Sequence, residues 1–228
     1  MEEKEGLRGY FTRGEEEQGP QPLKARSQGQ PEADRELMRR AQSGDQGAIS
    51  ALYTGYRRKV LNYVYRFTGN RASAEELTQE TFLKVFQNLH RYRPTGSVAG
   101  WIYRIAGNLS LNALRSRRQA HEISLDEPLT LGDETSVDRQ EAIATPGLSP
   151  AEEAVHSEQE DAVQRSLMKI SPRYREVVIL CDIEGYPYRE VAEMLHVPIN
   201  TVASRLARGR AQLAELLGYL KTEEGKSS

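Results

Sequence analysis

The side chains best suited to chemistry lie in residues 185–210, and the chemistry that they suit is contact with DNA. A helix predicted over residues 199–212 has arginines as its only charged residues. A guanidinium group can donate paired hydrogen bonds to a guanine edge and can neutralise a phosphate. Two hydroxyl side chains on the same helix can also bind bases or phosphates. The DNA contacts expected on this helix are Thr201, Ser204, Arg205, Arg208 and Arg210.

Two short helices joined by a tight turn are the elements that must position these side chains. Apolar residues recur at spacings that let two crossed helices share one small core: Val191, Leu195, Val197, Val202 and Leu206. This is the helix-turn-helix pattern, in which the second helix enters the DNA major groove. The alternative is an ordinary helical hairpin with a solvated cationic face, in which Arg205 bonds to the preceding helix.

A second group of polar side chains occurs in residues 90–119, which contain six arginines and no acidic residue. Capture of single-stranded nucleic acid needs cations for phosphates, planar groups for stacking and amides for base edges. A predicted loop and the helix after it offer these groups: Arg91, Tyr92, Arg93, Ser97, Asn108, Asn112, Arg115, Arg117 and Arg118. Trp101 is expected in the core rather than as a stacking platform. The alternative is a solvated polar face.

Charge is segregated along the chain, although the 228 residues carry a net charge of only −2. Twelve acidic residues and one basic residue lie between positions 120 and 161. Because nucleic acid responds to the local field, the acid-free arginine stretch matters more than the total charge.

Composition and motifs give no sign of an enzyme. The single cysteine, Cys181, cannot form an internal disulfide, which fits a reducing cytoplasm. The four histidines lack metal-ligand spacing, and the sequence contains no glycine-rich phosphate loop. No apolar run is long enough to span a bilayer or to form a signal peptide. We therefore expect no catalytic residue, no metal ligand, no cofactor and no membrane span.

The apolar spacings are helical throughout, so the expected fold is all-α, with two small helical domains joined by a flexible acidic linker. The expected segments are a disordered extension at 1–33, a first domain at 34–119, the linker at 120–148, a second domain at 149–220 and a polar tail at 221–228. The last helix of the first domain is expected to end at about residue 118.

Local signals mark several helix ends. Asp45 is expected to cap one helix, and Gly69 is expected to end it. Ser73 and Glu76 have the spacing of a capping box at the start of the next helix, and Ser149 begins a second such box. A Ser-Pro pair at 171–172 is expected to start a further helix.

Four segments together resemble bacterial RNA polymerase sigma factors of the extracytoplasmic-function (ECF) group. AEELTQETFLKVF at 74–86 resembles the family's polymerase-binding helix, and WIYRIAGNLSLNALR at 101–115 resembles its promoter −10 segment. SPRYREVVIL at 171–180 resembles the helix ahead of the −35 reader. EVAEMLHVPINTVASRLARGR at 190–210 resembles the reader itself. The four segments occur in the family's order, within the two expected domains.

The resemblance implies a promoter-specificity factor whose partners are promoter DNA, the clamp helices and flap of core RNA polymerase, and an anti-sigma factor. It assigns the arginine-rich set of the first domain to the −10 element and the recognition-helix set to the −35 element. It assigns four side chains to core polymerase: Glu76, Gln79, Glu80 and Lys84. It also implies a location in the bacterial cytoplasm, at the nucleoid when in holoenzyme. The acidic linker is expected to be a solvated tether or to imitate RNA in the polymerase exit path.

This sequence departs from the family's usual pattern at two positions. His196 stands where the family usually has Gly, Asp or Asn, but histidine tolerates the left-handed turn conformation. Ala203 stands where the family often has a basic residue, which removes one DNA contact.

Two other classes of function are alternatives. A LuxR/NarL-like regulator shares the terminal helix-turn-helix but needs a receiver or ligand domain upstream, and residues 34–119 lack alternating strands. An adaptor derived from the sigma fold would not need the dense arginines.

Overall fold

The described part of the chain is helical and contains no strand, which confirms the all-α prediction. This computed structural model describes residues 30–94, 96–124 and 150–224. Its helices are α1 (Gln30–Gln42), α2 (Gln46–Thr68), α3 (Arg71–Gln87), α4 (Val98–Ser124), α5 (Pro150–Lys169), α6 (Pro172–Val178), α7 (Tyr188–Leu195) and α8 (Ile199–Glu224). Most of the predicted extension, linker and tail lies outside the described residues, as does the Ser149 capping box.

Helices α1 to α4 form the first domain. One apolar face of α2 is buried, and α3 and α4 pack against it. The side chains at its centre are fully or almost fully covered: Leu52, Val60, Tyr63, Val64, Phe67, Phe82, Val85 and Ile102. α4 continues to Ser124, beyond the expected end at about residue 118. Residues 116–124 contain no glycine or proline that would end a helix there.

The helix ends of this domain confirm two predictions and correct a third. The Asp45 carboxylate accepts a hydrogen bond from the Ala48 amide, and Gly69 ends α2 with a left-handed φ of 71°. The predicted capping box of Ser73 and Glu76 is wrong, because α3 already begins at Arg71. The Asn70 side chain caps α3 by accepting the Ser73 amide hydrogen bond at 2.8 Å. Asparagine is as good an N-cap as serine, and here it comes three residues earlier.

Helices α5 to α8 form the second domain, with the helix-turn-helix in α7 and α8. Val191, Val202 and Leu206 are buried at the crossing of the two helices, as predicted. His196 takes the left-handed conformation between them, with φ of 52°. α6 begins after Ser171, as expected, and passes into a π-helical turn at Ile179–Ile183.

The two domains pack directly against each other. The Arg175 guanidinium of α6 donates to the Phe67 carbonyl at the end of α2, and it also donates to two carbonyls in its own domain. The Tyr103 hydroxyl of α4 donates to the Glu184 carboxylate at 2.7 Å. The Tyr103 ring packs edge-on against Tyr186 at 5.4 Å. The −10 and −35 readers predicted from the sequence therefore belong to one packed body.

Candidate nucleic-acid interface

One face of α8 is exposed along the first half of the helix, as a DNA-reading helix requires. The exposed side chains repeat at steps of three and four: Ile199, Asn200, Ala203, Ser204, Ala207 and Arg208. Thr201 and Arg205 lie at the margin of this face and are partly covered. The Arg208 guanidinium is 3.5 Å from the Tyr174 hydroxyl at the near edge of α6. The exposed face thus presents the guanidinium of Arg208, the amide of Asn200 and the hydroxyl of Ser204 to a DNA groove.

Arg210 differs from Arg208, although both were expected to contact DNA. Its guanidinium forms two hydrogen bonds with the Asp182 carboxylate, at 3.0 and 2.5 Å. The two side chains are 27% and 12% exposed, so the pair is largely shielded from water. The carboxylate raises the pKa of Arg210 above its usual value, despite the opposing effect of burial. The Arg210 guanidinium therefore links α8 to the π-helical turn that follows α6.

The loop before α4 places two of its four predicted side chains toward solvent and two inward. Arg91 and Arg93 are exposed. Tyr92 is 5% exposed, packs edge-on against Trp101 at 5.5 Å, and its hydroxyl donates to the Gly96 carbonyl at 3.1 Å. The Ser97 hydroxyl accepts the Gly100 amide hydrogen bond at 3.0 Å and so caps α4. Tyr92 and Ser97 therefore shape the loop, and the two arginines face outward.

The arginines of this loop border a cleft of about 420 Å³. Trp101 is only half-buried and lines the cleft, so it is not wholly a core residue as expected. Arg104, which the sequence analysis did not select, lines the same cleft. Its position could have been recognised, because it precedes Asn108 by four residues in the acid-free stretch and so shares its helix face.

The rest of the predicted single-strand set follows α4 away from the cleft. Asn108 and Asn112 are exposed and line a neighbouring depression of about 400 Å³, together with Arg91, Trp101 and Arg104. Further along, Arg115 is exposed, and the Arg117 guanidinium donates to the Ser73 hydroxyl of α3. The side chain of Arg118 lies outside the described residues. The geometry thus brings the two asparagines together with Arg91 of the loop and Arg104 of α4.

Comparison with known proteins identifies the family. Residues 52–120 match the model of Sigma-70 region 2, and residues 160–213 match that of Sigma-70 region 4. The chain is 35% identical to the ECF RNA polymerase sigma factor SigE of Mycolicibacterium smegmatis, over 82% of this chain and 69% of that protein. It is 32% identical to the ECF RNA polymerase sigma factor SigM of Mycobacterium tuberculosis, over 83% of this chain and 87% of that protein. The chain belongs to the ECF sigma factors.

A solved structure supports the fold of this sigma factor. The sigma factor RpoE of Bartonella quintana, in complex with the anti-sigma factor NepR, is similar with a TM-score of 0.55 at 20% identity. The similarity covers 74% of this chain and 96% of that one. The arrangement of helices in this chain is therefore similar to that of a sigma factor of known structure.

The predicted polymerase-binding side chains of this sigma factor lie on the outer face of α3. Glu76 and Gln79 are exposed, and Glu80 is partly exposed and pairs with Lys84 at 3.4 Å. Leu83, which the sequence analysis did not select, is 60% exposed beside them. Its signal in the sequence is weak, because an apolar residue in an amphipathic helix is normally assigned to the buried stripe.

The described ranges, 30–94, 96–124 and 150–224, contain no group of three or more His, Cys, Asp or Glu side chains that could hold a metal ion. No helix in these ranges is both long enough and apolar enough to cross a membrane.

Proposed function

We propose that this ECF sigma factor binds core RNA polymerase, directs it to promoters through their −35 and −10 elements, and helps to melt the DNA there. The observation that carries the proposal is the region 2 side of the cleft between the two domains, where Arg91, Arg93 and Arg104 lie beside the half-buried Trp101. A wall of arginines next to an aromatic ring and exposed amides suits an unpaired strand better than a duplex. The sigma factor acts where the bacterial polymerase acts, in the cytoplasm.

In the proposed −10 contact, the arginines hold phosphates, and Asn108 and Asn112 offer amides to base edges. Melting requires at least one base to leave the stack, at a cost of a few kcal/mol. A rigid site that captures the flipped base offsets this cost. The cap formed by Ser97 and the packing of Tyr92 on Trp101 give the loop that rigidity. These two side chains act by positioning the arginines.

In the proposed −35 contact, the exposed face of α8 enters the major groove. Arg208 is the one side chain of the exposed face of α8 that can form a bidentate pair with guanine, and Ser204 can reach a base or a phosphate. Thr201 and Arg205, at the margin of this face, are suited to phosphate contacts. We assign to Arg210 the role of holding α8 in place, because its guanidinium already donates one hydrogen bond to each carboxylate oxygen of Asp182.

The outer face of α3 is the proposed contact with the polymerase clamp helices. Glu76, Gln79, Glu80 and Lys84 offer charge and hydrogen bonds, and the exposed Leu83 offers apolar area that a solvated face has no reason to present. The flap of the polymerase is proposed to bind the second domain. An anti-sigma factor is a proposed regulator, since the similar sigma factor RpoE was solved with one.

The test is transcription by core polymerase from a library of random promoter templates, with and without the purified chain. We expect new start sites that share −35 and −10 sequences and that core enzyme alone does not use. We also expect the free chain to bind promoter duplex weakly. The result against the proposal is an unchanged set of start sites together with specific nanomolar duplex binding by the free chain, which would favour the LuxR/NarL-like regulator. That class needs a receiver or ligand domain upstream, where residues 52–120 instead match Sigma-70 region 2.

A further inference from the structure

The first turn of α8 carries an amide group that is free to bind a ligand. Asn200 is exposed, and its side chain forms no hydrogen bond with any residue that the structure describes. The two other polar side chains of the exposed face are already engaged. The Ser204 hydroxyl donates to the Thr201 carbonyl at 3.1 Å, and the Arg208 guanidinium lies 3.5 Å from the Tyr174 hydroxyl. Asn200 therefore keeps both a donor and an acceptor for a base edge.

Two apolar side chains flank this amide. Ile199 comes directly before Asn200, and Ala203 follows it by three residues and so lies beside it on the helix surface. Ile199 is 49% exposed, and Ala203 is exposed as well. Ile199 would extend the buried row of Val202 and Leu206 by one step of three residues, yet about half of it remains uncovered. The first turn of α8 thus presents one amide next to two apolar groups.

Exposed large apolar side chains are few in the part of the chain that the structure describes, and the others lie at a proposed contact. Leu83 and Tyr53 are 60% and 37% exposed. Leu83 is on the outer face of α3 assigned to polymerase, and the Tyr53 ring packs against Phe82 of the same helix at 4.9 Å. Ile199 is the third, and it lies on the face assigned to the major groove. A contact with base pairs gives its apolar surface a function.

An A·T pair offers the complementary groups in the major groove. Adenine presents the N7 acceptor beside the N6 donor, and thymine presents the apolar C5-methyl group. The asparagine amide matches adenine, because its NH2 group can donate to N7 while its oxygen accepts from N6. Guanine presents two acceptors there and would leave the amide oxygen without a partner. The amide and its apolar neighbours therefore favour an A·T pair over a G·C pair.

We propose that Asn200 and Ile199 make the −35 contact specific for an A·T pair, with the Asn200 amide on the adenine and the Ile199 side chain on the thymine methyl group. Ala203 has no long side chain and so lets this turn approach the bases closely. This inference rests on the proposed function of α8. Asn200 and Arg208 are separated by about 12 Å along the helix axis. At 3.4 Å per base pair, the A·T pair and the guanine bound by Arg208 should lie within about four base pairs of each other.

Selection of −35 sequences by core polymerase with the full chain tests the proposal. The wild type should select an A·T pair together with other fixed positions. Asn200→Ala should lower selectivity at that pair by about fivefold or more, which is the least that a bidentate pair provides, and should leave the guanine position unchanged. Arg208→Ala should do the reverse. The matched control is Gln212→Ala, which removes an exposed amide of the same helix about three turns further on and should select like wild type.

Base analogues test each contact on one selected promoter. 7-Deazaadenine lacks the N7 acceptor, and deoxyuridine lacks the methyl group of thymidine. For the wild type, we expect the first to weaken promoter use about two- to tenfold, as for one lost hydrogen bond, and the second about two- to fivefold, as for one methyl group. The 7-deazaadenine penalty should disappear in Asn200→Ala, and the deoxyuridine penalty should disappear in Ile199→Ala. Each variant should keep the other penalty.

The outcomes separate this inference from the proposed function. Selection of a −35 element without an A·T pair would overturn the inference, and so would analogue penalties that persist in the two variants, because DNA shape would then explain the preference. Failure of the wild type with core polymerase to select any −35 sequence would instead overturn the proposed function. Asn200→Asp is a second variant, which keeps the size and suits the first turn of a helix. It should lose the preference for adenine while folding like wild type by circular dichroism, and retained adenine selectivity would count against the Asn200 contact.

Discussion

Arg208 and Arg210 are two residues apart on α8, and the structure gives them opposite expected roles. The Arg210 guanidinium forms two hydrogen bonds with Asp182, and the two side chains are 27% and 12% exposed. Surface ion pairs contribute about 0–1 kcal/mol, but hydrogen bonds to shielded charges contribute about 1.5–3 kcal/mol, and removing one partner leaves the other uncompensated. Arg210→Ala should therefore lower the free energy of unfolding by about 2–3 kcal/mol.

That loss corresponds to a fall in Tm of about 4–12 °C for a folded body of this size. Arg208→Ala should change the free energy of unfolding by less than about 0.5 kcal/mol, because its side chain is exposed. The same variant should weaken −35 use by about 1–3 kcal/mol and relax selectivity at one or two positions. The measurements are thermal unfolding followed by circular dichroism, and selection from a library of −35 sequences by holoenzyme at a temperature where both variants are folded.

A double-mutant cycle supplies the control for Arg210. Asp182→Asn should be destabilising alone, and the double variant with Arg210→Ala should cost less than the sum of the two single changes, because the pair is lost only once. The reasoning is refuted if Arg210→Ala keeps the wild-type Tm and reduces promoter use as strongly as Arg208→Ala. In that case the Asp182 pair would open on DNA, and Arg210 would contact phosphate as the sequence first suggested.

Three further predictions concern the other surfaces. Burial raises the pKa of Glu176 to about 7. The free energy of unfolding should therefore fall by at most about 3 kcal/mol as pH rises from about 4.5 to 7. Tm measured against pH should show this fall in wild type, and Glu176→Gln should abolish it. Arg91→Ala and Arg93→Ala should slow promoter opening more than polymerase binding, so a pre-melted bubble template should partly restore transcription; no rescue in folded variants would indicate a structural role. Gln79→Lys with Glu80→Lys should leave the circular dichroism spectrum unchanged yet abolish pull-down of core polymerase; retained binding would remove this face from the interface.

The sign of the Glu176 prediction follows from its surroundings. The Tyr63 hydroxyl donates to its carboxylate at 3.4 Å, and this bond and the charge of Arg205 both favour the ionised form. Burial has the larger effect and favours the protonated form. The packed state therefore binds the extra proton, and its advantage is complete below the ordinary pKa and lost above the raised one.

Elements set by nearby residues were predictable from the sequence. The Asp45 cap, the Gly69 stop and the left-handed turn at His196 each depend on a few neighbouring residues, and the structure confirms them. The start of α3 was mispredicted because two capping signals overlap: Ser73 with Glu76 matches one motif, but Asn70 satisfies the same amide earlier. Local sequence does not say which of two competing caps wins.

The site was predictable in composition but not in the role of each side chain. An acid-free run of arginines identifies a region, yet Arg117 donates to Ser73 and Arg210 to Asp182, and both partners are distant in the sequence. Leu83 was missed for the opposite reason, because only the folded surface shows that it is exposed beside the predicted residues. Arg104 was missed although its four-residue step to Asn108 places both on one helix face. A charged side chain can be assigned to a ligand only after its contacts inside the protein are known.

Arg175 shows most clearly why the packing of the two domains could not be read from the sequence. It stands in a helix between Tyr174 and Glu176, where an arginine would normally be solvated, yet it is 5% exposed and donates to the Phe67, Met168 and Ile170 carbonyls. Burial lowers its pKa to about 10, so it is still charged at neutral pH and needs those carbonyls. Two of the three carbonyls belong to its own domain, and the third, that of Phe67, belongs to the other. A buried charge of one domain is therefore satisfied partly by the backbone of the other, and no local pattern in the sequence marks such a contact.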